Sequence, residues 1–312
     1  MGRYILGRLL GLVGVLLAVS LITFVLMHAV PAGPFDMIGM GEKIMPQELK
    51  DQLNHLYGLD RPVVEQYVLY VRNAIRLDFG NSFSQPGKPV VKIIAGQWPV
   101  TIHLGILTLI FSLIVGGGLG VAAAMNEGSW IDKFGTAVTI FCFIMPNFVL
   151  AYLLIILFSV TLQWLPTGGW ISPKNWIMPV LANSLGPILI LQRYVRSSML
   201  DVLRSNYVRT ARAKGLSERR VVWIHIFKNA LIPVITVVGP MVAGLVVGSI
   251  FVESIFRVPG IGALFVAALT MRDYTMIMGM TLLFTVLIGV SYLVSDLLYA
   301  AVDPRVTFVK EK

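Results

Sequence analysis

Six long apolar runs constrain the fold of this chain more than any other feature of its sequence. A helix needs about 20 consecutive apolar residues to cross the hydrocarbon core of a bilayer, where lipid offers no hydrogen-bond partner to an open backbone. Hydrophobic residues make up 56% of the 312 residues and charged residues only 13%, so lipid is the natural solvent for much of the chain. The sequence therefore predicts an all-α polytopic membrane protein, with spans at residues 9–30, 101–125, 134–162, 176–192, 231–256 and 274–300.

Two of these runs admit a second interpretation. Residues 9–30 follow two arginines, as the apolar part of a signal peptide would, but they exceed the ~7–15 residues typical of such a part. Residues 176–192 form the shortest run and contain Pro179 and Pro187, which places them near the lower limit for a span. We interpret both runs as spans.

The segment between the first two runs has the composition of an extramembrane domain. Residues 31–98 hold seven acidic and seven basic residues. Pro46 and Pro62 each suit the start of a helix, and Gly58 suits the end of the first one. We therefore predict three parts: an N-terminal segment with the first span at 1–30, a small helical extracytoplasmic domain at 31–98, and a five-span core at 99–312. The core includes a cytoplasmic loop at 193–230.

The basic residues predict the orientation of the chain. Nine of its 25 lysines and arginines fall between residues 193 and 228, whereas the two short loops on the opposite side hold only Lys174, Arg257 and Arg272. Because Lys and Arg accumulate in cytoplasmic loops, we expect both termini to lie in the cytoplasm. The same rule explains the formal net charge of +9 without nucleic acid as a partner.

The basic loop also has a pattern of its own. Met199, Val202, Leu203 and Tyr207 recur at helical spacing, and Gly215 can end the helix that they predict. A second helix can then begin after Ser217. An interfacial helix bound to anionic lipid would explain the charge equally well, but a helix, a glycine turn and a second helix indicate a shaped docking element.

The known catalytic and nucleotide-binding motifs do not occur in the sequence. It contains no G-x-x-x-x-G-K-[ST], no H-E-x-x-H, no C-x-x-C and no G-x-S-x-G, so we predict neither a catalytic residue nor a metal site. His28 and His103 are isolated histidines that packing explains. Glu253 and Asp296 lie near span ends, where a structural polar contact and a place in a polar pathway are both open.

Two glycine pairs, Gly116 with Gly120 and Gly244 with Gly248, suit close helix packing. The contact could lie within the chain or between two subunits.

The centre of the basic loop resembles a known pattern. Asn206-Tyr-Val-Arg-Thr-Ala-Arg-Ala-Lys-Gly-Leu216, followed by Asn229-Ala-Leu-Ile-Pro233, is similar to the cytoplasmic signature loop of bacterial ABC importer permeases. Val258-Pro-Gly-Ile-Gly262 resembles their C-terminal pattern, and Gly58-Leu-Asp-Arg-Pro62 resembles the outer domain of their B-type subunit. The chain thus resembles a B-type permease subunit of the peptide/nickel group and is closest to oligopeptide permeases.

The resemblance implies a set of partners in the bacterial inner membrane. A second, homologous permease subunit would complete the pathway, two ABC ATPase subunits would bind ATP and Mg²⁺ in the cytoplasm, and a substrate-binding protein would deliver the substrate from outside. This chain would itself catalyse no reaction and bind no cofactor. The substrate would be an oligopeptide or, next, a dipeptide, with nickel or another small solute as the alternative.

The resemblance also implies which residues would contact the ATPase. They are Asn206, Tyr207, Val208, Arg209, Thr210, Ala211, Arg212, Ala213, Lys214, Gly215 and Leu216. Arg209 stands where many importers have a glutamate, so an ion pair made by that acid would be absent or reversed in sign here. Polar residues of the shortest run are candidates for lining the pathway, namely Asn183, Ser184 and Gln192.

Two other classes of protein compete with this interpretation. A stand-alone secondary transporter often has internal repeats and ionisable residues at the bilayer midplane, and an intramembrane enzyme needs a nucleophile with a base, or a metal. The sequence shows none of these features, so we favour the importer permease.

Overall fold

A computed structural model describes residues 2–30, 33–35 and 46–302. The predicted cytoplasmic C-terminus from residue 303 onward lies outside the described residues, as do positions 31–32 and 36–45 of the predicted extracytoplasmic domain. Within the described part the chain is helical, and its one isolated β-bridge joins Asn81 and Pro89.

Thirteen α-helices and two π-helical segments follow one another along the described chain. The π-helical segments are Ile155–Thr161 and Val221–Phe227. The α-helices are α1 (Gly2–Ala29), α2 (Gln47–Leu56), α3 (Val63–Ala74), α4 (Val90–Met125), α5 (Trp130–Ile144), α6 (Asn147–Leu154), α7 (Pro173–Leu203), α8 (Asn206–Ala213), α9 (Glu218–Arg220), α10 (Lys228–Val247), α11 (Ile250–Ile255), α12 (Ile261–Thr270) and α13 (Tyr274–Val302).

These helices confirm the prediction of an all-α fold with several apolar helices. Four stretches of the described chain are long and apolar enough to cross a bilayer, which are Tyr4–Ala29, Val90–Met125, Pro233–Ile255 and Tyr274–Leu297. The other two predicted spans are helical but differ from a single apolar helix. Six full spans therefore stay a prediction.

The predicted span at residues 134–162 is built from three pieces. Helix α5 ends at Ile144 because Met145 adopts an extended conformation with ψ of 123°, which is the preference of a residue before proline. Helix α6 then starts after Pro146 and continues into the π-helical segment Ile155–Thr161. The predicted span at residues 176–192 lies inside the 31-residue helix α7, where Asn183, Ser184 and Gln192 lower the hydropathy.

The contacts divide the chain into two compact units. The first consists of Met1–Val100 and Pro259–Gly289, and the second of Thr101–Val258 and Val290–Lys312. The predicted extramembrane helices belong to the first unit. As the sequence predicts, α2 begins after Pro46 and ends at Leu56, and α3 begins after Pro62. Gly58 reverses the chain between them with a φ of +68°, a conformation that favours glycine.

A buried carboxylate fastens the loop that follows α3 in the first unit. Asp273 is fully buried and accepts hydrogen bonds through Oδ2 from the Ser82 hydroxyl (2.5 Å) and from the Ser84 hydroxyl (2.8 Å). Burial alone would raise the pKa of Asp273, but these hydrogen bonds outweigh it, so the pKa lies below its ordinary value. The contact holds the loop that follows α3 against the start of α13.

Helices α4 and α7 of the second unit meet at two glycines. A Cβ atom on Gly116 would lie 2.8 Å from the Ile188 carbonyl oxygen, and one on Gly120 would lie 2.7 Å from the Val195 Cβ. A Cβ atom on the adjacent Gly117 would have no neighbouring atom within 4 Å. Gly116 and Gly120 thus pack against α7 within the chain.

The close approach of α4 and α7 leads to a stability prediction. We expect Gly120→Ala to lower the free energy of unfolding by about 1–3 kcal/mol, because the added methyl group overpacks the contact with Val195. Gly117→Ala is the matched control, and it should be neutral or stabilise by up to about 1 kcal/mol through helix propensity. Thermal unfolding in one detergent measures both, and equal losses in the two variants would contradict the contact.

Candidate functional site

The basic loop forms the predicted helix, glycine turn and second helix, with one correction. Met199, Val202 and Leu203 end the long helix α7, whereas Tyr207 belongs to the separate helix α8. The prediction of one helix for all four residues is therefore wrong. Ser205 breaks the helix because it takes an extended conformation with ψ of 151°, and its hydroxyl donates to the Val202 carbonyl oxygen over 2.6 Å.

Gly215 ends the short helix as its sequence position predicts. Its φ of +74° lies in the left-handed region, which glycine adopts without steric penalty. The chain then re-enters a helical conformation after Ser217, first as α9 and then as the π-helical segment Val221–Phe227. Segments of π-helix occur frequently at functional sites, and this one connects α9 to α10.

Two side chains fasten α8 to the rest of the second unit. Val208 is 0% exposed and Ala211, three residues later on the same face, is 6% exposed. Both belong to one apolar cluster, which we call the α8 anchor and which also contains Ala124, Leu191, Val195, Met199, Val221, Val222, Ile226, Ala230 and Val234. The anchor joins α8 to the end of α7 and the start of α10.

The opposite face of α8 is exposed and basic. Tyr207 is 45% exposed, and the other exposed residues of the predicted docking set are Asn206, Arg209, Thr210, Arg212, Ala213, Lys214 and Gly215. Leu216 is half-buried. The predicted docking set therefore splits into an inward pair that anchors the helix and an outward face that is free for a partner.

One arginine of that face is engaged within the loop. Arg212 donates to both carboxylate oxygens of Glu218, through Nη2 over 2.5 Å and through Nε over 3.1 Å. These hydrogen bonds hold the pKa of Glu218 below its ordinary value. The ion pair spans the turn at Gly215 and fixes α8 relative to α9. The remaining outward charges are Arg209 on α8 and Lys214 directly after the helix.

A second ion pair, which the sequence analysis missed, connects α5 to α7. Arg196 donates to both oxygens of Asp132 over 2.7 Å each, and the backbone N–H of Gly128 adds a third hydrogen bond of 3.0 Å. These donors, the Arg196 guanidinium first, lower the pKa of Asp132 to about 2. The pattern Ser129-x-x-Asp132 at the start of an apolar run was the available signal.

The three candidate pathway residues lie on α7 but point into contacts within the chain. Asn183 donates to the Thr108 hydroxyl over 3.5 Å, and the fully buried Ser184 donates to the Val180 carbonyl oxygen. Gln192 is 1% exposed and hydrogen-bonds Thr136 and Thr139 of α5. These contacts link α7 to α4 and α5, and a role in lining the pathway stays a prediction.

The isolated ionisable residues of the spans have structural contacts. Glu253 is fully buried and accepts a hydrogen bond of 3.1 Å from the Thr101 hydroxyl. His28 contacts the Phe24 carbonyl oxygen and the Gln66 side chain, and His103 packs edge-on against Trp170 and Trp176. Among the described residues, no group of three or more His, Cys, Asp or Glu side chains is placed to hold a metal ion.

Comparison with protein families finds two matches that together span most of the chain. Residues 116–308 match the family described as the binding-protein-dependent transport system inner membrane component. Residues 1–105 match the N-terminal family of the same membrane components. The first match contains the α8 anchor and the whole basic loop.

Curated relatives cover the full length of the chain. The dipeptide transport system permease protein of Bacillus subtilis (strain 168) is 37% identical over 100% of both chains. The dipeptide transport system permease protein of Lactococcus lactis is 39% identical over 98% of this chain and 99% of the relative. The oligopeptide transport system permease protein of Salmonella typhimurium is 36% identical over the same shares of the two chains.

Solved structures share the fold at low sequence identity. The MetNI methionine ABC transporter, in an inward-facing conformation, matches with a TM-score of 0.56 and 16% identity over 68% of this chain and 97% of the other. An amino acid ABC transporter matches with a TM-score of 0.53 and 12% identity over 68% and 94% of the two chains.

The Asp132–Arg196 pair leads to a pH-dependent stability prediction. An ordinary aspartate has a pKa of about 3.9, whereas the pKa of Asp132 in the folded chain is about 2. The pair therefore stabilises the fold fully above pH ~5, and this contribution is lost as the pH falls towards 2. We expect Asp132→Asn to lower the free energy of unfolding by about 1.5–3 kcal/mol at pH 7, with the difference from wild type shrinking below pH ~4.

The exposed pair of Glu127 with Arg204 provides the control for that experiment. Arg204 Nη2 lies 2.8 Å from Glu127 Oε1, but the side chains of Glu127 and Arg204 are 47% and 70% exposed. Because water screens such a pair, Glu127→Gln should change the free energy of unfolding by less than about 1 kcal/mol. Chemical unfolding at several pH values distinguishes the two pairs. A pH-independent effect of Asp132→Asn would contradict the assigned charge.

Proposed function

The chain belongs to the family of binding-protein-dependent transport system inner membrane components, and we propose that it is the B-type permease subunit of an ATP-driven peptide importer. The full-length relatives named as dipeptide and oligopeptide permeases support a peptide as the substrate. Both classes match at similar identity, so our preference for oligopeptides rests on the sequence resemblance. The family description supports a multi-pass protein of the bacterial inner membrane.

The proposed importer contains this chain as a non-catalytic subunit. A second homologous permease forms the other half of the pathway, and a substrate-binding protein delivers the peptide from outside. ATP and Mg²⁺ bind to two ATPase subunits and not to this chain. The family description, which names binding-protein-dependent transport, supports the presence of these partners.

Helix α8 is the proposed contact with the ATPase. Its outward face carries Tyr207 and Arg209, and Lys214 follows directly after the helix. These side chains suit a groove that has an apolar floor and an acidic rim. Its inward face is packed into the α8 anchor, so a displacement of α8 is passed to α7 and α10. Closure of the ATPase subunits on ATP would thereby tilt these helices between two global states, as in other rigid-body transitions.

The proposed orientation places both termini and the basic loop in the cytoplasm. This arrangement follows from the distribution of lysine and arginine, and it puts α8 on the side of the membrane where ATP is available. The segment at residues 31–98 then lies outside, where it can contact the binding protein or cap the pathway. The core at residues 99–312 carries the loop at 193–230.

Substitution of the outward face of α8 tests the proposed contact. We expect Tyr207→Ala combined with Arg209→Glu to abolish co-purification of the ATPase subunits and to abolish peptide uptake. Both side chains are exposed, and the first substitution removes an aromatic contact while the second reverses a charge. The amount of the chain in the membrane should stay at the wild-type level.

Lys174→Glu is the matched control, since it reverses an exposed positive charge that the proposed orientation places outside. It should leave co-purification intact. Normal recovery of the ATPase subunits with the double variant would overturn the assignment of α8.

A further inference from the structure

A groove lies between α5 and α7, away from the exposed face of α8 that is proposed to contact the ATPase. It has a volume of about 1110 Å³ and lies wholly within the second unit. Asp132 pairs with Arg196, and Thr136 contacts Gln192, so residue numbers fall along α7 as they rise along α5. The two helices therefore run antiparallel, and each position along the groove is defined by a pair of residues.

The lining of the groove changes from charged to apolar along its length. At one end lie Asp132, Lys133, Arg193, Arg196 and Ser197. The other end is lined by Ala137, Ile140, Phe143, Leu189 and Ile190, and Thr136, Gln192 and Tyr194 complete the lining. From Lys133 to Phe143 the rise of a helix amounts to about 15 Å, which is the length of a substantial part of an acyl chain.

The charged end carries an excess of positive charge. Asp132 is occupied by Arg196 through two hydrogen bonds, and its one negative charge balances one of the three basic residues. Lys133 and Arg193 are exposed, and neither makes an ion pair or hydrogen bond to another side chain in the described part of the chain. Two cations at the mouth of a groove suit one phosphate group.

The apolar end opens onto a surface that requires a nonpolar environment. Ile140 and Phe143 in the lining are 43% and 55% exposed, and the neighbouring Phe141 and Ile144 on α5 are 67% and 73% exposed. A peptide carries backbone amides along its whole length, and the apolar lining of this end would leave its N–H and C=O groups without partners. An acyl chain has no such groups.

We propose that this groove binds one anionic phospholipid, with the headgroup phosphate at Lys133 and Arg193 and an acyl chain along Ile140 and Phe143. Basic pockets between spans on the cytoplasmic side suit anionic headgroups, and the lysine and arginine distribution places this end of the groove on that side. The Asp132–Arg196 pair holds the two walls together beneath the headgroup. The inference concerns lipid and does not depend on which peptide is transported.

The experiment compares lipid retention by the full chain, purified with its co-purifying subunits and placed in phosphatidylcholine nanodiscs with or without phosphatidylglycerol. Native mass spectrometry counts retained phosphatidylglycerol. Lys133→Ala combined with Arg193→Ala should weaken retention roughly 30-fold, at about fivefold for each basic residue. Arg219→Ala combined with Arg220→Ala also removes two positive charges, from the basic loop and outside the groove, and should retain lipid as wild type does.

A second variant tests the apolar end of the same site. Phe143→Asn changes an exposed side chain and should weaken retention of phosphatidylglycerol while leaving the membrane level of the chain unchanged. Equal loss in the two double variants would show unspecific attraction of anionic lipid and would overturn the proposal. Unchanged lipid retention in the groove variants would also overturn the proposal. If the same variants altered uptake of peptides that differ at their C-terminal carboxylate, the groove would belong to the peptide pathway instead.

Discussion

Val208 is fully buried in the α8 anchor, and the proposed mechanism depends on this contact. Burial of a valine side chain stabilises a fold by about 1.5–3 kcal/mol, which is enough to keep an eight-residue helix attached although such a helix is marginal by itself. The same cluster includes side chains from the end of α7 and from the start of α10. A partner that moves α8 therefore moves two long helices with it, because separating them would expose the whole cluster.

Polar contacts stiffen the second unit around this anchor. The ion pair of Arg212 with Glu218 closes the turn at Gly215, and the pair of Arg196 with Asp132 ties the adjoining part of α7 to α5. Close packing at Gly116 and Gly120 ties α7 to α4. Rigid transmission of movement needs these contacts, because a flexible contact would let α8 move without moving the long helices. The long helix α7 takes part in most of these contacts and is the main candidate for carrying movement towards the pathway.

Local signals predicted much of the fold, whereas contacts between distant residues escaped prediction. Pro46, Pro62, Gly58 and Gly215 act through their own backbone geometry, and the helix boundaries beside them follow the sequence. The break at Ser205 was missed because the apolar residues before and after it keep helical spacing. Such spacing does not reveal that one helix ends and another begins with a different axis. Asp132 was missed because its partner is 64 residues away. The inward contacts of Gln192 were hidden for the same reason, since one sequence does not show the rotation of a helix.

Site-specific photocrosslinking measures directly whether α8 contacts the ATPase. A photoreactive phenylalanine analogue at Tyr207, which is 45% exposed, is compared in living cells with the same analogue at Trp164, which is 65% exposed and predicted to lie outside. We expect a covalent adduct between this chain and an ATPase subunit from position 207 and none from position 164. Absence of the adduct from position 207 in cells that import peptide normally would contradict the proposed contact.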